Sequence, residues 1–127
     1  MDKNNALSQN LLTFLSITPN SQFDAQLIDL VKDWNLEAYG PGKRTKGTLD
    51  HIRKELKEIE DHPDDPTEWV DVILLALNGL MRLGYNGEEI IGFIRAKMAK
   101  NALRDWPDWR GQDPDKAITH VKSVAGC

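Results

Sequence analysis

Apolar residues recur at three- and four-residue steps along this chain, and Gly and Pro punctuation cuts the pattern into four helical stretches followed by a short tail. The first stretch is predicted to begin after Pro19. Phe23, Leu27, Leu30, Val31, Trp34 and Ala38 share one face, and Gly40-Pro41-Gly42 stops the helix. A second helix is predicted from Thr48 to about Asp61, with Leu49, Ile52, Leu56 and Ile59 as its buried stripe and charge on the other face. Asp65-Pro66-Thr67-Glu68 is a helix-start signal: Asp65 can cap, Pro66 suits the first turn, and Glu68 sits where a capping box closes.

The third helix, running to about Leu83, is apolar on nearly every side through residues such as Val70, Ile73, Leu74, Leu77 and Leu80. So few other helices cannot wrap such a surface, which implies that a second copy of the chain covers part of it, in a dimer or tetramer. Asn86-Gly87 marks the next turn. Ile90, Ile91, Phe93, Ile94 and Met98 stripe a fourth helix ending before Pro107, and Ala117, Ile118 and Val121 after Asp113-Pro114 predict one more short helix. The fold class is therefore all-α, a bundle of about four main helices with part of its core completed by oligomerisation. Residues 1–18 read as an amino-terminal packing arm and 19–127 as a single domain.

Glu55 and Glu58 stand three apart on the second helix, and Glu68 and Asp71 repeat that spacing on the third. A fold-back near Pro63 brings Glu58 level with Glu68 and Glu55 level with Asp71, so four carboxylates converge. Asp71 lies in an otherwise apolar run, where a carboxylate needs a partner. Each acid alone reads as a solvated helix residue, with Glu68 explained by capping and Glu58 by pairing with Lys54. Their symmetry about one turn favours a shared cation instead, and hard oxygen ligands at this spacing suit Mg2+ or Mn2+.

The net charge of −4 and pI near 5.3 argue against a protein that tracks a nucleic-acid backbone. Cys127 is the only cysteine, which suits a reducing cytoplasm. The third helix is too short, and too charged at Glu68 and Asp71, to span a membrane. The polar residues interrupting the amino-terminal apolar stretch do not suit a secretory signal.

The two acid pairs resemble the signature of the MazG-like all-alpha nucleoside triphosphate pyrophosphohydrolases. The likeness tightens over Tyr39-Gly-Pro-Gly-Lys-Arg-Thr45, His51-Ile-Arg-Lys-Glu-Leu-Lys-Glu-Ile59, Glu68-Trp-Val-Asp-Val-Ile-Leu-Leu-Ala76, Lys97-Met-Ala-Lys-Asn101 and Arg104-Asp-Trp-Pro-Asp-Trp109. That pattern is similar to the phage-type dATP/dGTP diphosphohydrolase branch, which includes MazZ-type enzymes, with Asn78 where many members have Asp. The resemblance implies metal-dependent hydrolysis of dGTP or dATP to the monophosphate and pyrophosphate. For MazZ-type members it implies supply of dGMP for 2-aminoadenine DNA, in the host cytoplasm if the gene is a phage's. Two or three Mg2+ ions would bridge the carboxylates and the phosphates, with Glu55 or Glu58 as general base.

Lys97, Asn101 and Arg104 align on the fourth helix and are candidates to grip phosphate oxygens. Arg44, with Lys43 and Lys46 between Gly42 and Gly47, forms a cationic loop that can close over the triphosphate, or is a plain solvated turn; it lacks the ending of a phosphate-binding loop. Trp34 and Tyr39 are candidates to stack a base, although aromatics at helical spacing are more often core. Asn78, two turns beyond Asp71, is a candidate for sugar or base contact, and His51, one turn before Glu55, is a candidate to face the same nucleoside pocket, although such a histidine is more often a satisfied helix residue. His62 and His120 have no ligand spacing. The rival readings are a pyrimidine-specific or house-cleaning triphosphate pyrophosphatase on the same scaffold, and a non-enzymatic helical binding module.

Overall fold

The computed structural model describes residues 22–122, so the arm expected over 1–18, the start at Pro19 and Cys127 lie outside the described residues. Among those residues the architecture is all-helical: α1 (Ala25–Tyr39), α2 (Thr45–Asp61), α3 (Pro66–Arg82) and α4 (Gly87–Leu103), followed by a single 3-10 turn at Trp109–Gly111. The chain divides after Ile91 into two compact units.

In the first unit α2 lies along α3, and α1 packs on α3 as well. The turn between α2 and α3 is short, and the two helices run antiparallel: Thr48 near the start of α2 meets Asn78 near the end of α3, through Asn78 Nδ2 donating to Thr48 Oγ1 at 3.4 Å. The core is small, with Ile28, Leu77, Met81 and Ile90 buried and Val31, Leu80, Tyr85 and Ile91 packed around them. Gly87 permits a close approach of chain to chain. A Cβ there would collide with the carbonyl oxygen of Ala25, and the Gly87 amide donates to Asp29 Oδ1 at 2.8 Å.

Several expectations shift. α1 starts at Ala25 because Asp24 caps it, its Oδ1 accepting from the Leu27 amide at 3.0 Å; Phe23 thus precedes the helix and is 49% exposed. α2 starts three residues earlier than the apolar stripe suggested, so Lys46 and Gly47 belong to its first turn and the cationic loop shrinks to Lys43 and Arg44. Within one chain, Leu49 and Leu56 of the expected buried stripe are 44% and 49% exposed. On α3, Trp69, Val70 and Ile73 are likewise exposed.

In the second unit α4 ends at Leu103 and the chain continues without the helix expected around Ala117. Asp113 instead folds a local turn, its Oδ1 accepting from the Asp115 amide at 2.9 Å and its carbonyl from the Lys116 amide at 3.1 Å. The tail is held by the Val121 amide, which donates to the Asp105 carbonyl at 2.7 Å. No helix among the described residues is long and apolar enough to cross a membrane.

Candidate active site

The start of α3 determines what Glu68 can do. Asp65 Oδ1 accepts from the Thr67 amide at 2.9 Å and from the Thr67 hydroxyl at 2.7 Å, while the Asp65 amide donates to the His62 carbonyl at 3.1 Å. The amide that a capping box would offer to Glu68 is already used, so Glu68 is not a capping residue. Its carboxylate instead joins those of Glu55 and Asp71, one oxygen from each lying within 4.8 Å of the others. Glu58 falls outside this group and is exposed, and Lys54 pairs with Asp50 at 3.5 Å rather than with Glu58. The Glu58 charge still reaches Glu68. Burial first, then the charges of Glu58, Asp65, Asp71 and Glu55, raise the Glu68 carboxyl above its ordinary range.

These oxygens fit a hard divalent cation. Octahedral Mg2+ holds oxygens at about 2.0–2.1 Å, so ligands on opposite sides are about 4 Å apart, and small side-chain rotations bring this triad onto one ion. The raised affinity of Glu68 for a proton is a second sign that positive charge is wanted here. His51 Nε2 lies 3.3 Å from Glu55 Oε1, and the Glu55 side chain is only 16% exposed, so that carboxylate is held in place.

Glu55 and Asp71 open onto a cavity of about 480 Å³, whose walls also include Trp34, Tyr39, His51 and Leu75. Its size lies in the range of roughly 300–1,000 Å³ usual for small-molecule sites. Trp34 meets Tyr39 edge to face, with ring centroids 5.6 Å apart, and Tyr39 meets His51 in the same way at 6.4 Å. Base-sized aromatic surface and two of the clustered carboxylates, Glu55 and Asp71, therefore share one cavity. α1 supplies the aromatic wall, and α2 and α3 supply the acids.

Asn78 and Arg44 stand in a smaller adjoining space of about 80 Å³ that also touches His51. Asn78 is 4% exposed and already engaged: it donates to Thr48 and accepts from Arg82 Nε at 3.0 Å. Arg44 Nη1 donates to the Tyr39 carbonyl at 2.8 Å. Sequence reasoning missed Arg82. Its Nη1 donates to the carbonyls of Gly40 at 3.0 Å and Gly42 at 2.7 Å, clasping the α1–α2 connection to the end of α3. Both glycines adopt positive φ, 80° and 90°, which presents these two turn carbonyls, on either side of Pro41, at little steric cost. The only sequence signal was an Arg in the last turn of an apolar helix, which reads as a partner for the helix dipole.

Lys97, Asn101 and Arg104 belong to the second unit. Arg104 Nη1 donates to Asn101 Oδ1 at 3.2 Å, so these two side chains are already in contact, and Lys97 lies one turn earlier on α4.

A family profile described as dATP/dGTP pyrophosphohydrolase matches residues 27–124. The chain is also 34% identical over 84 residues to a dATP/dGTP diphosphohydrolase of cyanophage S-2L, an alignment covering 65% of this chain and 76% of that protein. No solved structure matches. With the paired acids of α2 and α3, the aromatic cavity and the cationic α4 all inside the matched span, the chain belongs to the dATP/dGTP pyrophosphohydrolase family, a group of hydrolases acting on acid anhydrides.

Proposed function

We propose that this protein hydrolyses dGTP or dATP to the deoxynucleoside monophosphate and pyrophosphate in a reaction that depends on Mg2+ or Mn2+. The observation that carries this reading is the cavity in which Glu55 and Asp71 share walls with Trp34, Tyr39 and His51. Glu55, Glu68 and Asp71 would hold the cation. When bound, it supplies Lewis acidity toward phosphate oxygens and neutralises their charge.

The chain's own residues orient the rest. Trp34 and Tyr39 offer the apolar surface against which a purine stacks. His51 fixes the Glu55 carboxylate. Water attacks phosphorus, the bond between the α- and β-phosphates breaks, and pyrophosphate leaves. Glu55 and Glu58 are the two candidates to accept the water's proton; Glu58 is the freer of them because it lies outside the close triad. Lys97, Asn101 and Arg104 are assigned to phosphate oxygens. Asn78 can contact nucleoside only by exchanging one of its internal bonds, so its effect on specificity is expected to run through Arg82 and Thr48.

The exposed apolar residues of α2 and α3 support assembly as a dimer or tetramer, and the resemblance to MazZ-type members supports supply of dGMP for 2-aminoadenine DNA in a cytoplasmic setting. The test is a panel of dNTPs and NTPs with Mg2+ or Mn2+, with monophosphate, pyrophosphate and phosphate measured separately. Pyrophosphate from dGTP or dATP is the expected product. Phosphate release would place the broken bond elsewhere, and faster turnover of pyrimidine nucleotides would make this a pyrimidine or house-cleaning enzyme.

A further inference from the structure

Charge is distributed unevenly along the chain. From Gly92 to Cys127 there are seven Lys and Arg against four Asp, a net of +3 in a protein whose total is −4. Within this unit the end of α4 and the returning tail are pinned together. Trp106 Nε1 donates to the Asn101 carbonyl at 2.7 Å, the Val121 amide donates to the Asp105 carbonyl at 2.7 Å, and the His120 ring meets Trp106 edge-on with centroids 6.0 Å apart. His120 is thereby fixed beside the Asn101–Arg104 end of the helix, with Lys122 two residues on.

We propose that Lys97 and Lys100 from α4, Arg104 just beyond its end, and His120 and Lys122 from the tail form one binding site for a compact polyphosphate anion. The site rests on the nucleotide reading above and deepens it, since pyrophosphate, the product of that reaction, belongs to this class of anion. Among the described residues none of Lys97, Lys100, Arg104 and Lys122 forms an ion pair; the only such pair in this unit joins Arg110 to Asp108. Arg104 is instead oriented by Asn101. The anion that would balance the group is not supplied by the unit's own carboxylates.

His120 responds to that imbalance. Burial, then the charges of Arg104, Lys122, Lys97 and Lys100, hold its imidazole below the ordinary histidine range. The charges that act on it most strongly are all cationic, and Asp105 takes part in the tail contact through its backbone carbonyl. Cations near a helix C-terminus can simply offset the dipole of the last carbonyls, which accounts for Lys100 and Arg104. It does not account for Lys122 and His120, which arrive from outside the helix. An extended nucleic-acid backbone is a poor fit to so small a cluster on an acidic protein.

The experiment follows the histidine resonances of the full-length protein by NMR from about pH 5 to about pH 8, with and without inorganic tripolyphosphate, and without metal or nucleotide. His120→Gln identifies the relevant signal among the three histidines. Bound anion should raise the His120 midpoint by about one unit, and by reciprocity tripolyphosphate should bind about tenfold tighter on the acid side of the transition. Lys122→Ala should shrink that shift while leaving the rest of the spectrum unchanged. A midpoint unmoved by tripolyphosphate at constant ionic strength, a shift indifferent to Lys122→Ala, or a response to single-stranded oligonucleotide but not tripolyphosphate would each overturn the proposal. Turnover of dGTP and dATP, measured separately, distinguishes the two readings. Pyrophosphate release with an unresponsive His120 sinks this site alone, and a responsive His120 without pyrophosphate release sinks the nucleotide assignment alone.

Discussion

Replacing Arg82 by Met keeps the aliphatic stem and removes the clasp between α3 and the α1–α2 connection. Three hydrogen bonds are lost, from Nε to Asn78 Oδ1 and from Nη1 to the carbonyls of Gly40 and Gly42. The two carbonyls can regain water, because Gly42 is exposed and Gly40 half-buried, so each bond is worth about 0.5–1 kcal/mol. Asn78 is 4% exposed and cannot rehydrate as easily, so its stranded oxygen costs about 1–3 kcal/mol. These losses sum to about 2–5 kcal/mol, but one correction runs the other way. Arg82 Nη2 is buried without a partner, and its removal recovers about 1–3 kcal/mol. With each range taken at its middle, the net destabilisation is about 1.5 kcal/mol, read as a lower urea midpoint at unchanged slope. A double-mutant cycle with Asn78→Ala should show coupling of about 0.5–1.5 kcal/mol, since the two residues share a bond. The KM for nucleotide should rise, because the freed connection carries Tyr39 and Arg44. An unchanged urea midpoint together with an additive cycle would refute the clasp.

Glu55→Gln and Asp71→Asn should each lower turnover by at least about two orders of magnitude, yet leave metal-free thermal stability equal to or above wild type, because each removes charge from mutually repelling acids. A loss of metal-free stability measured by calorimetry would contradict that. The Glu68 carboxyl is raised above its ordinary 4.5, so the folded state holds that proton more tightly than the unfolded one. Stability from this group is then full below about pH 4.5 and lost as pH rises through the raised value, unless Mg2+ is present; urea midpoints against pH, with and without Mg2+, give the slope, and a rise with pH in the group's titration range would contradict the assignment. Gly87→Ala should destabilise by at least about 2 kcal/mol through collision with Ala25, whereas Gly92→Ala, with open space at its Cβ, should stabilise by about 0.5–1 kcal/mol. Equal melting temperatures for the two variants would show that the close approach is absent.

The periodicity and the Asp65-Pro66 start made the antiparallel pairing of α2 and α3 legible, because a short turn leaves few ways to align two amphipathic helices. With that register, Glu55 and Asp71 had to come close, and Thr48 had to come level with Asn78. Glu58 was legible only to within a turn: sequence spacing puts it level with Glu68, but side-chain direction leaves it outside the triad. Trp34 and His51 reach the same cavity as the acids, which periodicity could not establish, since it says which residues share a face and not which helix that face meets. Arg82 and His120 were illegible for another reason. Arg82 reaches backbone carbonyls of a turn, and His120 is brought to Trp106 by a returning tail; neither leaves a pattern in side-chain type.

The first turn of α3 shows how one short segment serves both fold and site. Asp65 and Glu68 are three residues apart at the positive end of a helix dipole, where either carboxylate would be favoured. Their environments nevertheless push them in opposite directions. Hydrogen bonds from Thr67 hold the Asp65 carboxyl below its ordinary range, whereas burial and the neighbouring acids hold Glu68 above its own. With the cap assigned to Asp65, Glu68 is released from helix-end bonding and left with anions for neighbours. Acidification therefore protonates Glu68 while the Asp65 cap is still charged, so the proposed cation site would weaken before the helix start does. A single carboxylate charged with both tasks would couple metal loss to fraying of α3. Dividing them would let the proposed site take up or lose a cation on a helix whose start is the same in both states.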